Sequence, residues 1–495
     1  MEIIHSIKPL LAVSVSLAAV LLIGLSSRRP DIRESWTVLA ALAKFIIVAS
    51  MLPEVLSGKS LAIHLATVAP GLEIKLQADA LSLAFAATAS FLWIITSFYS
   101  IGYMRTLNEH AQTRYFMSFA LAMSGAMGVA FSANMFTLFI FYEMITFSTF
   151  PLVAHKETPE AIQGARRYLV YLLGTSLAFL LFAMFLTYQA AGTLDFSPGG
   201  ILDGKASDAL IAVIFILFIA GITKAGMMPF HSWLPAAMVA PTPASALLHA
   251  VAVVKAGVFT VIKVVLFIFG TDVLSRIGLN EALMYFAAAT IVISSIVALK
   301  QDNLKRRLAY STISQLSYIV LAVAILTPGG ITGSVMHIVA HAFGKITLFF
   351  AAGAIYVAHH KTKVSELDGI GRKMPFTMGA FAVGSLSMIG VPPFAGFISK
   401  FYIFTGAIEA GHLVVLAVLA VSTVLNACYL LPIVYAAFFK KPAPAPRDYP
   451  LKPDLHEAPT LMLIPLVLTA AATLVLFFYP SVFLELAASV AGAGR

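Results

Sequence analysis

Long apolar stretches alternate with short polar connections along the whole chain. A helix needs about 20 mostly apolar residues to cross a bilayer. Fourteen stretches answer that description: 8–27, 36–53, 79–102, 115–132, 134–154, 167–191, 208–230, 242–268, 282–299, 308–327, 331–357, 375–408, 412–438 and 459–484. Numbered in that order as spans 1–14, they predict an all-α polytopic membrane protein. No connection is long enough to form a soluble domain.

The charges follow the same alternation. Loops after odd-numbered spans hold Arg28, Arg29, Arg33, Arg105, Arg114, Lys156, Arg166, Arg167, Lys300, Lys305, Arg306, Arg307, Lys361, Lys363, Arg372, Lys373, Lys440, Lys441, Arg447 and Lys452, which is 20 basic residues. Loops after even-numbered spans hold only Lys59, Lys75, Lys205 and Arg276, which is 4. Cytoplasmic loops are the ones enriched in Lys and Arg. The odd loops are therefore expected in the cytoplasm and both termini outside, across a bacterial or archaeal inner (plasma) membrane. Arg28 and Arg29 follow span 1 directly, which favours a retained first helix over a cleaved signal peptide.

Composition agrees with the pattern. Of 495 residues, 60% are hydrophobic and 11% charged, against about 25% charged in soluble domains. The formal net charge of +9 reads as topology signal rather than as a nucleic-acid footprint. The single cysteine, Cys428, excludes an intrachain disulfide and a cysteine-ligated metal cluster. No Walker loop, HExxH or CxxC is present, so no cofactor or metal is expected from these motifs.

Within the spans the basic residues are all lysines: Lys44, Lys224, Lys255, Lys263, Lys345 and Lys400. One acid, Glu143, lies mid-span with them. Charge at membrane depth costs a few kcal/mol at least and marks pathways and relays. Lysine releases its proton when desolvated, whereas arginine in practice does not. Lys44 and Lys263 sit within reach of span ends and are expected to snorkel to the interface. The others are candidates for proton handling.

Two segments repeat one pattern. Gly226-Met-Met-Pro-Phe-His-Ser-Trp-Leu234 and Gly390-Val-Pro-Pro-Phe-Ala-Gly-Phe-Ile398 both read G-x-x-P-F-x-x-aromatic-aliphatic. Pro229, Pro392 and Pro393 each remove a backbone donor and clash with the preceding turn. Spans 7 and 12 are therefore expected to be interrupted helices. They lie five spans apart and so cross in opposite directions, which is the pattern of an inverted-repeat transporter and its site. Lys224 stands just before the first break and Lys400 just after the second.

Span 11 carries His337, His341 and Lys345 at i, i+4 and i+8. Such residues share one helical face, each about 6 Å from the next, and His and desolvated Lys can both pass protons. In span 8, Lys255 lies near mid-span, and His249, six residues earlier, falls on another face; packing and relay remain equally open for His249. Glu143 needs a cation, and Lys224 is the natural partner.

Phe-Tyr-Glu143, the run Lys224-Ala-Gly-Met-Met-Pro-Phe-His-Ser-Trp-Leu-Pro235, the run from Ala240 to Lys255, His341-Ala-Phe-Gly-Lys345 and Gly390 to Lys400 resemble the antiporter-like subunits of respiratory complex I and of Mrp-type multisubunit cation/proton antiporters. The phrase His249-Ala-Val-Ala-Val-Val-Lys-Ala-Gly257 is most similar to the D-type subunit of the Mrp antiporters. The resemblance implies about 14 transmembrane helices, with spans 4–8 (113–270) and 9–13 (271–438) as two inverted five-helix repeats. Residues 1–112 would hold spans 1–3, and 439–495 a C-terminal loop with span 14. It implies a Glu143–Lys224 pair at one half-channel, Lys255 as the bridge, the span 11 stripe as the link and Lys400 at the other half-channel. The implied function is the proton-translocating subunit of a monovalent cation/proton antiporter, with Na⁺ the expected cation and other membrane subunits and the lipid bilayer as partners. The alternative is a proton-pumping membrane subunit of a complex I-like oxidoreductase or a membrane-bound hydrogenase. In neither case is the chain itself expected to be an enzyme, nor to bind nucleic acid. A purely structural scaffold is the third reading.

Overall fold

The computed structural model describes residues 2–441 and 457–493. Arg447 and Lys452, two of the basic residues assigned to odd-numbered loops, lie outside the described residues. Each of the fourteen predicted stretches is occupied by a helix or by consecutive helical segments. Ten described helices are long and apolar enough to cross a membrane by length and composition. Side-chain caps set several of their starts: Asp79, Asn134, Thr158, Ser207, Asn303 and Thr327 each accept a backbone N–H two or three residues into the following helix.

Some boundaries differ from expectation. Span 2 begins at Pro30 rather than 36, because proline is well placed in a first helical turn. Arg33 thus falls inside a helix, buried, where it donates to Glu34, Gln112 and Thr113. The segment between spans 2 and 3, which is too short to cross a bilayer, folds together with the N-terminal residues as a small sheet. Strand β1, Glu2–His5, pairs parallel with β2, Lys59–Ala69, and β2 pairs antiparallel with β3, Leu72–Ala78. This sheet lies on the side of the even-numbered loops and adds strands to a helical fold.

Both predicted interruptions are present. Span 7 is helical over Asp208–Gly221, makes a 3-10 turn at Thr223–Ala225 and is irregular until Trp233. Span 12 is helical over Pro375–Ile389 and resumes over Ala395–Glu409. Each break opens on a glycine in the left-handed region, Gly226 at φ 72° and Gly390 at φ 92°, a conformation that glycine adopts without steric cost. Span 8 also departs from regular helix: π turns at Leu247–Val251 and Val264–Phe269 flank its central α-helix Val253–Lys263.

Spans 8 and 11, Thr242–Phe269 and Pro328–His359, have no exposed stretch in their most apolar windows. They form the axis around which the other helices pack. Two glycines let broken spans approach closely. A Cβ on Gly257 of span 8 would lie 2.2 Å from both the Lys224 carbonyl carbon and the Ala225 nitrogen. A Cβ on Gly396 would lie 1.8 Å from the Ser387 carbonyl oxygen, across the second break. Overpacking a close-packed interior costs about 1–3 kcal/mol. Gly257→Ala is therefore expected to lower the thermal stability of the detergent-purified protein measurably. A melting temperature equal to wild type would show that the contact yields freely.

Candidate functional site

The buried lysines fall into a connected set. Lys224, in the 3-10 turn of the first break, donates through Nζ to the Tyr142 carbonyl at 3.0 Å and to Thr146 Oγ1 at 2.7 Å. Its Nζ also lies 3.3 Å from the Tyr142 ring centroid, and its backbone N–H reaches the Tyr142 hydroxyl at 3.3 Å. The expected direct pair with Glu143 is not formed. Tyr142 and Thr146 are four residues apart and share a face of the span 5 helix, Met135–Val153. Glu143 is one residue on, about 100° around that helix. It is buried, and neither carboxylate oxygen has a hydrogen-bonding partner among the described residues.

At the centre, Lys255 Nζ lies 2.9 Å from His341 Nδ1, which joins spans 8 and 11. Only the tertiary structure brings these two together, since 86 residues separate them. His341 Nε2 is buried with no partner among the described residues, and the His337 ring centroid is 6.1 Å from that of His341. His337 in turn bonds Ser399 Oγ through Nδ1 at 2.8 Å and donates from Nε2 to Gln315 Oε1 at 3.0 Å. The predicted span 11 stripe therefore reaches the second broken span through Ser399, the neighbour of Lys400.

Lys400 Nζ donates to the Met388 and Ile389 carbonyls at 3.0 and 2.9 Å. These belong to the last turn of Pro375–Ile389, where helix carbonyls lack intrahelical partners. The second break thus supplies the acceptors for its own lysine. Lys400 Nζ also lies 4.8 Å from the Tyr318 ring centroid. Lys345 donates to Ser311 Oγ at 2.7 Å, and Tyr429 donates to the same oxygen at 2.9 Å. His249 stands apart, with both ring nitrogens unpartnered among the described residues and its ring 5.1 Å from that of Phe349. Its place in a π turn sets it off from Lys255, as their spacing implies.

Neither lysine expected to snorkel does so. Lys44 is wholly buried, donating to the Met123 carbonyl at 3.0 Å with Nζ 4.7 Å from the Trp93 ring centroid. The long apolar stem brings the ammonium inward because a carbonyl and an aromatic face await it there. Lys263 is buried against Asp79 Oδ2 at 2.6 Å, ringed by Phe196, Phe259 and Phe267. Asp79 escaped sequence reading because it sits at the edge of span 3, and its only local signal is that of a helix cap. A cavity of about 80 Å³ lined by Asp79, Phe196, Lys263 and Phe267 adjoins this pair. The bridging residues Thr146, Ser311, Gln315, Ser399 and Tyr429 were also missed. Gln315 alone carried a signal, as an amide inside a predicted span.

Residues 132–426 match the family described as NADH:quinone oxidoreductase/Mrp antiporter, transmembrane. The chain is 32% identical over 474 residues to an NADH-quinone oxidoreductase subunit N from Desulforudis audaxviator, with 93% of each chain covered. It is 32% identical over 456 residues to a probable K(+)/H(+) antiporter subunit from Rhizobium meliloti, covering 89% of this chain and 44% of that protein. A chain in the structure of the Mrp complex from Dietzia sp. shares the fold at 22% identity, with a TM-score of 0.87, 98% of this chain and 96% of that chain being covered.

Removing one partner of a buried ion pair costs about 3–5 kcal/mol. Asp79→Asn is therefore expected to destabilise the protein far more than Asp203→Asn, whose exposed partner is Arg276. Thermal unfolding in detergent compares the two, and equal melting temperatures would refute a structural role for the Lys263 pair.

Proposed function

This chain belongs to the NADH:quinone oxidoreductase/Mrp antiporter transmembrane family, and from that premise we propose that it is the proton-translocating subunit of a multisubunit monovalent cation/proton antiporter. The proposed path runs from Glu143 and Lys224 through Lys255, His341 and His337 to Lys400, with Lys345 and His249 beside it. The observation that carries this reading is the 2.9 Å contact between Lys255 and His341, flanked by lysines at both helix breaks. It supports a path in which one hydrogen bond hands a proton between the two central spans. From His341 to His337 the distance is too long for a direct bond, and a water would complete the step.

The two ends of the path are alike in their chemistry. Each terminal lysine rests on main-chain carbonyls rather than on an ion pair. An ionised carboxylate buried without a partner is costly, and Glu143 has none. In our reading, Lys224 swings from the Tyr142 carbonyl to Glu143 during the cycle and opens this end. The two halves, residues 113–270 and 271–438, act as inverted repeats around the central contact. Na⁺ is the proposed cation, with K⁺ suggested by the Rhizobium relative's name. Other membrane subunits complete the assembly.

A second reading is a pumping subunit of a redox complex, supported by the 93% mutual coverage with the subunit N relative. Proton flux into vesicles containing the whole assembled complex separates the two. Flux driven by a Na⁺ or K⁺ gradient favours the antiporter, and flux that needs an electron donor and quinone favours the pump.

Removing a positioned proton-transfer group costs about 100-fold or more. Lys255→Ala and Lys400→Ala are each expected to reduce proton flux by that order in the assembled complex. Lys255→Arg retains charge but cannot release its proton, so it should be as inactive as Lys255→Ala. Near-normal flux in Lys255→Arg would leave the relay untenable, whichever complex the chain serves.

A further inference from the structure

Away from the lysine path, one cluster of side chains has no role in it. His155 follows the span 5 helix that carries Glu143, and Glu109 and His110 lie in the connection between spans 3 and 4. All are on the face rich in Lys and Arg. His155 is 0% exposed, yet among the described residues neither ring nitrogen has a hydrogen-bond partner. Its Nε2 lies 3.6 Å from Glu109 Oε2, and the His110 ring centroid is 4.9 Å from that of His155. One ligand atom from each of the three residues lies within 4.8 Å of the other two.

Ligands at 2.0–2.2 Å from a tetrahedral ion stand about 3.4 Å apart. The Glu109–His155 separation of 3.6 Å is already close to that, and bringing the whole trio from 4.8 Å to it takes a shift of up to about 1.4 Å, made by exposed His110, whose other neighbour is Glu157 Oε1 at 3.9 Å. The neighbouring cations are engaged elsewhere. Arg114 donates to Glu157 at 2.6 Å and to the His155 carbonyl at 3.3 Å, and Lys156 lies over the Tyr356 ring. The Tyr115 ring packs against the His155 ring at an interplanar angle of 78°, with centroids 5.7 Å apart.

We propose that Glu109, His110 and His155 form a binding site for a divalent transition-metal ion of the Zn²⁺ class. Two imidazoles and one carboxylate suit such an ion and not Mg²⁺ or Ca²⁺, which take oxygen ligands. A bound ion would tie the connection between spans 3 and 4 to the end of the helix that carries Glu143.

The test is Zn²⁺ binding by the full-length chain purified in detergent, measured by equilibrium dialysis, with Mg²⁺ as control. One tight Zn²⁺ per chain is expected in the wild type. Even outer-shell partners of a metal are worth roughly 10–100-fold in affinity, so His110→Ala is expected to weaken binding by about 100-fold or more. Because His110 is exposed, that variant spares the fold. Glu109→Gln, which keeps the side-chain shape, is expected to weaken binding as well. Zn²⁺ binding of the same number and affinity in wild type, His110→Ala and Glu109→Gln overturns the proposal, as does a wild type that binds Zn²⁺ no better than Mg²⁺.

Discussion

An ammonium group taken out of water must find lone pairs to replace it, and the interior of this protein is organised around that requirement. Lys44 uses the Met123 carbonyl, Lys224 the Tyr142 carbonyl and Thr146, Lys345 the Ser311 hydroxyl, Lys400 two carbonyls and Lys255 the His341 ring. Among the described residues, only Lys263 of the six meets a carboxylate. The difference matters for function. A carboxylate holds a proton on lysine by charge, whereas a carbonyl or hydroxyl also accepts from a neutral amine. Lys263 is thus suited to fastening spans 3 and 8 together.

The second helix break serves the same requirement. A carbonyl inside a regular helix is already bonded and offers a buried lysine only its second lone pair, which Met123 gives Lys44 and Tyr142 gives Lys224. Ending a helix inside the membrane frees the carbonyls of its last turn, and Met388 and Ile389 serve Lys400 in this way. Such a break survives only where neighbours fill the space. Gly257 and Gly396 permit that filling, since each places helix backbone where a side chain would collide.

Much of this was legible from the chain. The spans, their charge bias, both interruptions and the His337–His341–Lys345 stripe rest on local patterns of one helix or one loop, which sequence spacing captures. Pairings were not legible. Glu143 and Lys224 were matched by charge, yet the ammonium went to the i and i+4 oxygens beside the carboxylate. Lys44 and Lys263 were placed at the interface by their distance from span ends. Depth along a helix does not reveal whether an acceptor such as Met123 or Asp79 faces that position. The sheet of β1 to β3 was lost because a search for membrane-length helices ignores what is too short to cross.

The sequence alone determined that this is a polytopic membrane protein with ionisable groups at depth and two similarly broken spans, because hydropathy and proline chemistry act over a few residues. Tertiary structure alone decided which acceptor each lysine receives, that Lys255 meets His341 across spans 8 and 11, and that Glu109 and His110 gather beside His155. Those contacts join residues between 11 and 184 positions apart. They depend on helix rotation and close approach, which the packing of the whole bundle sets and no local pattern encodes.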